Sequence, residues 1–276
     1  MDIGVITRLE PETDFIAPVR ELELSCCQVC CWNMDYCTPE VCKCVRALLD
    51  KHGVRLSSFW AGYSGHVEWN FTKGPVTLGI VPPDLRAQRV AELKRWADFA
   101  ADLGAPAIVT HCGFLPENMT DPEFPRVVEA LQDIGGYCRD RGIGFWFETG
   151  QETPVTLLRH ILATGLDNLG INLDPANLLL YDKGNPVDAL DVFGKYVKSV
   201  HAKDGCCPTE PYHLGHEVRL GDGLTRYPVF VPKLIGLGFT GDFIIEREIS
   251  GEEQKRDILH ARDLLRGWMK GEAAGQ

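Results

Sequence analysis

Short apolar, β-branched runs recur along this chain, separated by longer stretches whose apolar residues return every three or four positions. The short runs predict strands: IGVIT from Ile3, LELSCC from Leu22, VRLSSFW from Val54 and AIVTH from Ala107. Four more follow: IGFWFE from Ile143, LGINLD from Leu169, YVKSVH from Tyr196 and DFIIE from Asp242. The longer stretches predict amphipathic helices. The clearest runs from Pro82 to Leu103, with Val90, Leu93, Ala97 and Ala100 on one face and Gly104 just past its end. Another, TPEVCKCVRALLDKHG, has Thr38 as N-cap and Pro39 in the first turn. It turns Val41, Val45, Leu48 and Leu49 inward before Gly53.

Eight strands alternating with helices, with no linker or low-complexity tract between them, predict one (β/α)8 TIM barrel domain over residues 1–276. A doubly wound open sheet is the alternative. It would favour a GxGxxG after the first strand, and the chain has none there.

Seven of the chain's 11 cysteines fall between Ser25 and Cys44. This pattern places Cys26 and Cys27 at the second strand, Cys30 and Cys31 in the loop after it, and Cys42 and Cys44 on the helix, Cys44 facing inward. The CCxxCC stretch contains the spacing of a zinc or redox knuckle, but a structural zinc site usually pairs two such knuckles. The CKC that follows is too close-spaced on a helix to aim both sulfurs one way. The expectation is ordinary packing, in which a free thiol acts as a small hydrophobe.

Composition narrows the partners. A net charge of -11 argues against nucleic acid, whose phosphates demand clustered lysine and arginine. No apolar run reaches the roughly 18 residues that span a bilayer. The N-terminus MDIGVITRLEPETDF lacks the basic-then-apolar pattern of a secretory signal. An odd cysteine count fits a disulfide framework poorly, so the expected compartment is the reducing cytoplasm. Nothing in the composition argues for or against a homo-oligomer.

In an α/β barrel the active site forms where the carboxyl ends of the strands converge. The last four predicted strands end in Glu148, Asp174, His201 and Glu246. Carboxylates ending apolar runs need pairing or a metal if they are buried. Three carboxylates and one imidazole suit Mn²⁺ first, with Mg²⁺, Co²⁺ or Zn²⁺ as alternatives.

The segments ETG at Glu148, NLDPANLL at Asn172, HAKDG at His201, RLGDG at Arg219 and GFTGDFIIEREI near the end resemble the xylose isomerase-like TIM barrels. That family includes tagatose 3-epimerase, hydroxypyruvate isomerase, inosose dehydratase and the zinc AP endonucleases. The resemblance implies one divalent metal held by Glu148, Asp174, His201 and Glu246, with Glu148 and Glu246 flanking a sugar as acid and base. The AP endonucleases hold three zinc ions. His111 matches one of their histidines, but Asn177 stands where another is expected, and HEVRLGDG lacks an Asp-x-His pair.

The expected activity is a metal-dependent sugar isomerase or epimerase. It would move a proton through a metal-stabilised enediolate of a keto sugar or related polyol. The same intermediate would let a β-hydroxyl or β-linked group leave, which makes a dehydratase or lyase the alternative. A non-catalytic sugar- or metal-binding barrel is the alternative of another class. Candidate substrate contacts are His111 and Asn177 at strand tops, Lys203 two residues beyond His201, Arg219 before the last strand, Gln151 after the fifth, and Trp60 as a stacking surface.

Overall fold

The computed structural model describes residues 1–271; residues 272–276, the end of the expected domain, lie outside the described residues. Eight strands form a closed parallel barrel: β1 Ile3–Arg8, β2 Cys26–Cys31, β3 Arg55–Ala61, β4 Ala107–Thr110, β5 Gly144–Glu148, β6 Leu169–Leu173, β7 Val197–Ala202 and β10 Asp242–Ile245. The remaining pair, β8 Asp204–Cys206 and β9 His216–Val218, is a small antiparallel ribbon outside it. Closure comes from β1 pairing with β10, Ile3 opposite Phe243 and Val5 opposite Ile245.

Helices cover the outside because their apolar faces have nowhere else to go. The helix Pro83–Leu103 buries Val90, Leu93, Ala97 and Ala100, as its spacing predicts, and stops at Gly104. Helix Pro39–His52 starts where the Thr38 hydroxyl accepts the Val41 N–H and stops at Gly53. Gly104 and Gly53 take left-handed φ values of 85° and 58°, where a side chain would be strained.

Two local expectations are corrected. The second strand begins at Cys26, not Leu22, because Leu22 and Leu24 serve the core from a turn that follows a short helix, Ala17–Glu21. Cys30 and Cys31 therefore lie in β2 and not in a loop. On the helix Pro39–His52 the buried stripe is Cys42, Val45 and Leu49, while Cys44 is only half-buried. Residues i, i+3 and i+7 define that face, and Cys44 lies off it.

The strand β2 shows how the cysteine-rich stretch is used. Its side chains alternate, and Cys27, Val29 and Cys31 join the main apolar core. Gln28 faces the barrel interior, where it meets Ser58 and His201. Every cysteine is a free thiol.

Candidate metal centre

The barrel order β5-β6-β7-β10 makes the last four strands neighbours. Glu148 closes β5, Asp174 follows β6, His201 lies within β7 and Glu246 follows β10. One ligand atom from each falls within 4.8 Å of all the others. His201 Nδ1 is 3.1 Å from Glu148 Oε1, 3.1 Å from Glu246 Oε2 and 4.0 Å from Asp174 Oδ2.

Each group is held from behind. The Gln28 amide donates to Ser58 Oγ at 2.8 Å, which leaves its oxygen to accept from His201 Nε2 at 2.8 Å. A proton kept on Nε2 would leave the Nδ1 lone pair available to a cation that displaces the Nδ1 proton. The Trp60 indole N–H donates to Glu148 Oε2. Asp174 Oδ1 accepts the Asn177 N–H at 2.9 Å and so caps the helix Pro175–Leu180. Thr149 Oγ1 is hydrogen-bonded to both the Asp174 N–H and its carbonyl, each at 2.8 Å, tying the ends of β5 and β6 together.

The electrostatics call for positive charge at the centre. Burial would raise the Glu148 pKa, but the His201 and His111 imidazoles hold it well below the usual range. Burial likewise would raise Glu246, and Lys203 with His201 brings it down to about 2. Burial lowers His201, yet Glu148 and Glu246 outweigh it and raise it well above the ordinary histidine value. Asp174 is the exception: burial drives it well above the carboxylate range despite Lys203. Its Oδ2 is buried with no hydrogen-bond partner, and its nearest cation, the Lys203 Nζ, is 3.7 Å away. A divalent cation among three carboxylate oxygens and Nδ1 would satisfy that orphaned oxygen. The residues present fit such an ion.

A family model described as the xylose isomerase-like TIM barrel matches residues 16–268. The chain belongs to that family. A solved xylose isomerase domain protein from Planctomyces limnophilus is 34% identical to it, with a TM-score of 0.92, covering 99% of this chain and 98% of the other. A D-tagatose 3-epimerase-like protein shares the fold at 22% identity and TM-score 0.74, over 99% of this chain and 98% of that one. A family barrel from Mycobacterium smegmatis, solved in complex with magnesium, shares it at 20% identity and TM-score 0.70, over 94% and 88%. No curated protein matches the chain significantly.

Glu148 and Glu246 open into a cavity of about 910 Å³. Among the remaining candidates, His111, Asn177, Lys203 and Trp60 line it together with Glu148 and Glu246. His111 Nε2 is 3.2 Å from Glu148 Oε1. Lys203 is buried, 2.9 Å from Glu248 and 3.5 Å from Glu246. Its charge offsets the −1 left by three carboxylates and a dication, and Glu248 in turn pairs with it. Gln151 is buried behind the lining, next to Glu152. Arg219 is not brought to the cavity. It is half-exposed and pairs with Asp222, because the loop that carries it spends its N–H groups at Gly221, Gly223 and Thr225 on the buried Asp204 carboxylate.

None of the cysteines is among the four convergent groups, although Cys30 lines the cavity. Burial pushes the thiols of Cys26 and Cys30 up to about 12 and that of Cys31 up to about 11, so none is an activated thiolate. Cys26 lies near Asp2 and Asp242, but both carboxylates take the Arg55 guanidinium.

Pattern reasoning missed Gln28 and Glu248. Gln28 had a signal: a long polar side chain in the middle of a buried strand needs a partner. Glu248, exposed and beyond the last strand, had none.

Proposed function

We infer that this protein is a divalent-metal-dependent sugar isomerase or epimerase acting on a keto sugar or related polyol. One observation carries the reading. Glu148 and Glu246 come from β5 and from just after β10, with β6 and β7 between them, and approach His201 Nδ1 at 3.1 Å each beneath the large cavity. Two carboxylates reaching one point from different walls can serve a substrate from two sides. The fold shared with a tagatose 3-epimerase-like protein supports it.

Glu148, Asp174, His201 and Glu246 would hold the ion. The donor set favours Mn²⁺, and Mg²⁺, the ion bound by the similar mycobacterial barrel, suits it too. When bound, such an ion supplies Lewis acidity toward a carbonyl and a neighbouring hydroxyl. One glutamate removes the proton from the carbon beside the carbonyl. The other returns it to the opposite face in epimerisation, or to the adjacent carbon in isomerisation. The Lys203 ammonium at the edge of the cluster compensates negative charge developing on the sugar oxygens. His111 and Asn177, on the cavity wall, contact the substrate. Eleven free cysteines, several with thiols raised by burial, suit a reducing cytoplasm.

The test is a set of keto sugars in D₂O with manganese-loaded protein, read by NMR. At least one sugar should take up deuterium at the carbon next to its carbonyl and change to an isomer. Loss of water or of a linked group would appear in the same spectra as the lyase alternative. Glu148→Gln and Glu246→Gln should each keep some metal and lose exchange by ~10²-fold or more. Unchanged exchange in both variants would overturn this reading.

A further inference from the structure

The cavity holds more than a single hexose. A hexose has about 12 heavy atoms, and even at the roughly 30 Å³ that a whole water molecule takes in the liquid it would fill only about 360 Å³. The cavity beside Glu148 and Glu246 is about 910 Å³, so more than half would remain.

The surplus has a definite chemistry. From Glu148 the indoles run outward in sequence: Trp60 donates to the carboxylate, Trp32 lies 4.9 Å from Trp60, and Trp69 lies 6.3 Å from Trp32 at 89°. Trp69 is 40% exposed, a large aromatic left at the rim. The neighbouring wall, from the end of β1 and the segment after β10, offers Arg8, Glu10, Arg247 and Gln254. A pyranose ring has apolar C–H faces and a polar edge of hydroxyls. An indole wall beside an ionic wall matches that shape.

The rim is already built. The loop carrying Trp69 is fixed at both ends by Arg89, which is fully buried and donates to the Ser64, Thr77 and Gly79 carbonyls at 3.3, 2.7 and 2.7 Å. The Tyr63 hydroxyl accepts the Gly79 N–H at 2.8 Å. His111 sits 5.0 Å from the Trp69 ring, so the rim is tied to the catalytic end as well. A wall ordered before the ligand arrives spares the cost of ordering it on binding.

We propose that the substrate is a two-ring keto sugar: the keto ring lies over Glu148 and Glu246, and a second sugar ring lies against Trp32 and Trp69. This rests on the proposed function for the identity of the reacting ring, but the second subsite is measurable by binding alone.

The experiment compares D-fructose with lactulose and isomaltulose, which carry the same keto ring with a second hexose attached. Calorimetric titration of the manganese-loaded protein reads affinity, and D₂O exchange is followed in parallel. At least one disaccharide should bind ~10-fold or more tightly than fructose. Trp69→Ala should erase that preference, and Trp69→Phe should restore much of it. Metal content is measured in each variant to confirm that the centre is intact. Equal binding of all three sugars, no binding by either disaccharide, or a preference that survives Trp69→Ala overturns the proposal. A preference that depends on Trp69 without any hydrogen exchange keeps the second subsite and removes the isomerase reading.

Discussion

Glu152 shows how burial shifts the titration of a side chain. It is 4% exposed, on the loop just past β5, and burial pushes its carboxyl up from 4.5 to about 8. Between those values the folded protein holds a proton that the unfolded chain has released. Stability therefore falls as pH rises from about 4.5 to about 8 and levels off above. Glu152→Gln, which cannot ionise, should remove part of that slope. At pH 8 the variant should be the more stable by a few kcal/mol, on the order of the shift itself at about 1.4 kcal/mol per unit. Thermal melts at pH 5, 6.5 and 8 check this; parallel curves for the two proteins would contradict it.

At the scale of elements, β2 carries two kinds of information on its two faces. Cys27, Val29 and Cys31 fill the space under the helices, while Gln28 reaches the metal centre through His201. The two faces should respond differently to substitution. Gln28→Leu keeps the volume roughly but frees the His201 ring, and should weaken manganese binding by ~10- to 100-fold, the usual effect of losing the partner that orients a ligand. Replacing Cys26, Cys27, Cys30 and Cys31 together by serine should lower stability, since buried hydroxyls without partners cost about 1–3 kcal/mol each. It should leave one metal ion per chain. Metal analysis after dialysis, alongside melting curves, separates the two outcomes. Loss of the ion from the serine variant would restore the cluster to the chemistry.

The whole molecule is a barrel whose last four strands converge on one charge centre. A cation there would tie β5, β6, β7 and the end of β10 together, so its binding energy should appear as folding energy. With free manganese at 100 times its Kd, the folded state should gain about 2.7 kcal/mol, and the melting midpoint should rise by roughly 5 °C or more. A chelator should reverse the gain. His201→Ala and Asp174→Ala should melt at the same temperature with or without manganese, and a full metal-induced shift in both would sink the four-ligand centre.

The eight strands and the ends of the long helices were legible in the sequence because they depend on neighbours close along the chain. Apolar spacing, a Thr38 cap, and Gly53 and Gly104 act locally. The convergent groups were legible for a related reason: parallel strands in a barrel all turn their carboxyl ends to one face, so Glu148, Asp174, His201 and Glu246, at or next to those ends, could be named from the sequence. The start of β2 was not, because Leu22 and Leu24 look the same to a pattern whether a strand or a turn buries them. Tertiary structure decided the rest. It chose Gln28 as the support of His201, gave the Trp60 N–H to Glu148, turned Arg219 away to Asp222, and opened a cavity far larger than one sugar. Each of these joins residues distant in sequence, and side-chain direction and empty volume arise only when the walls of the barrel close.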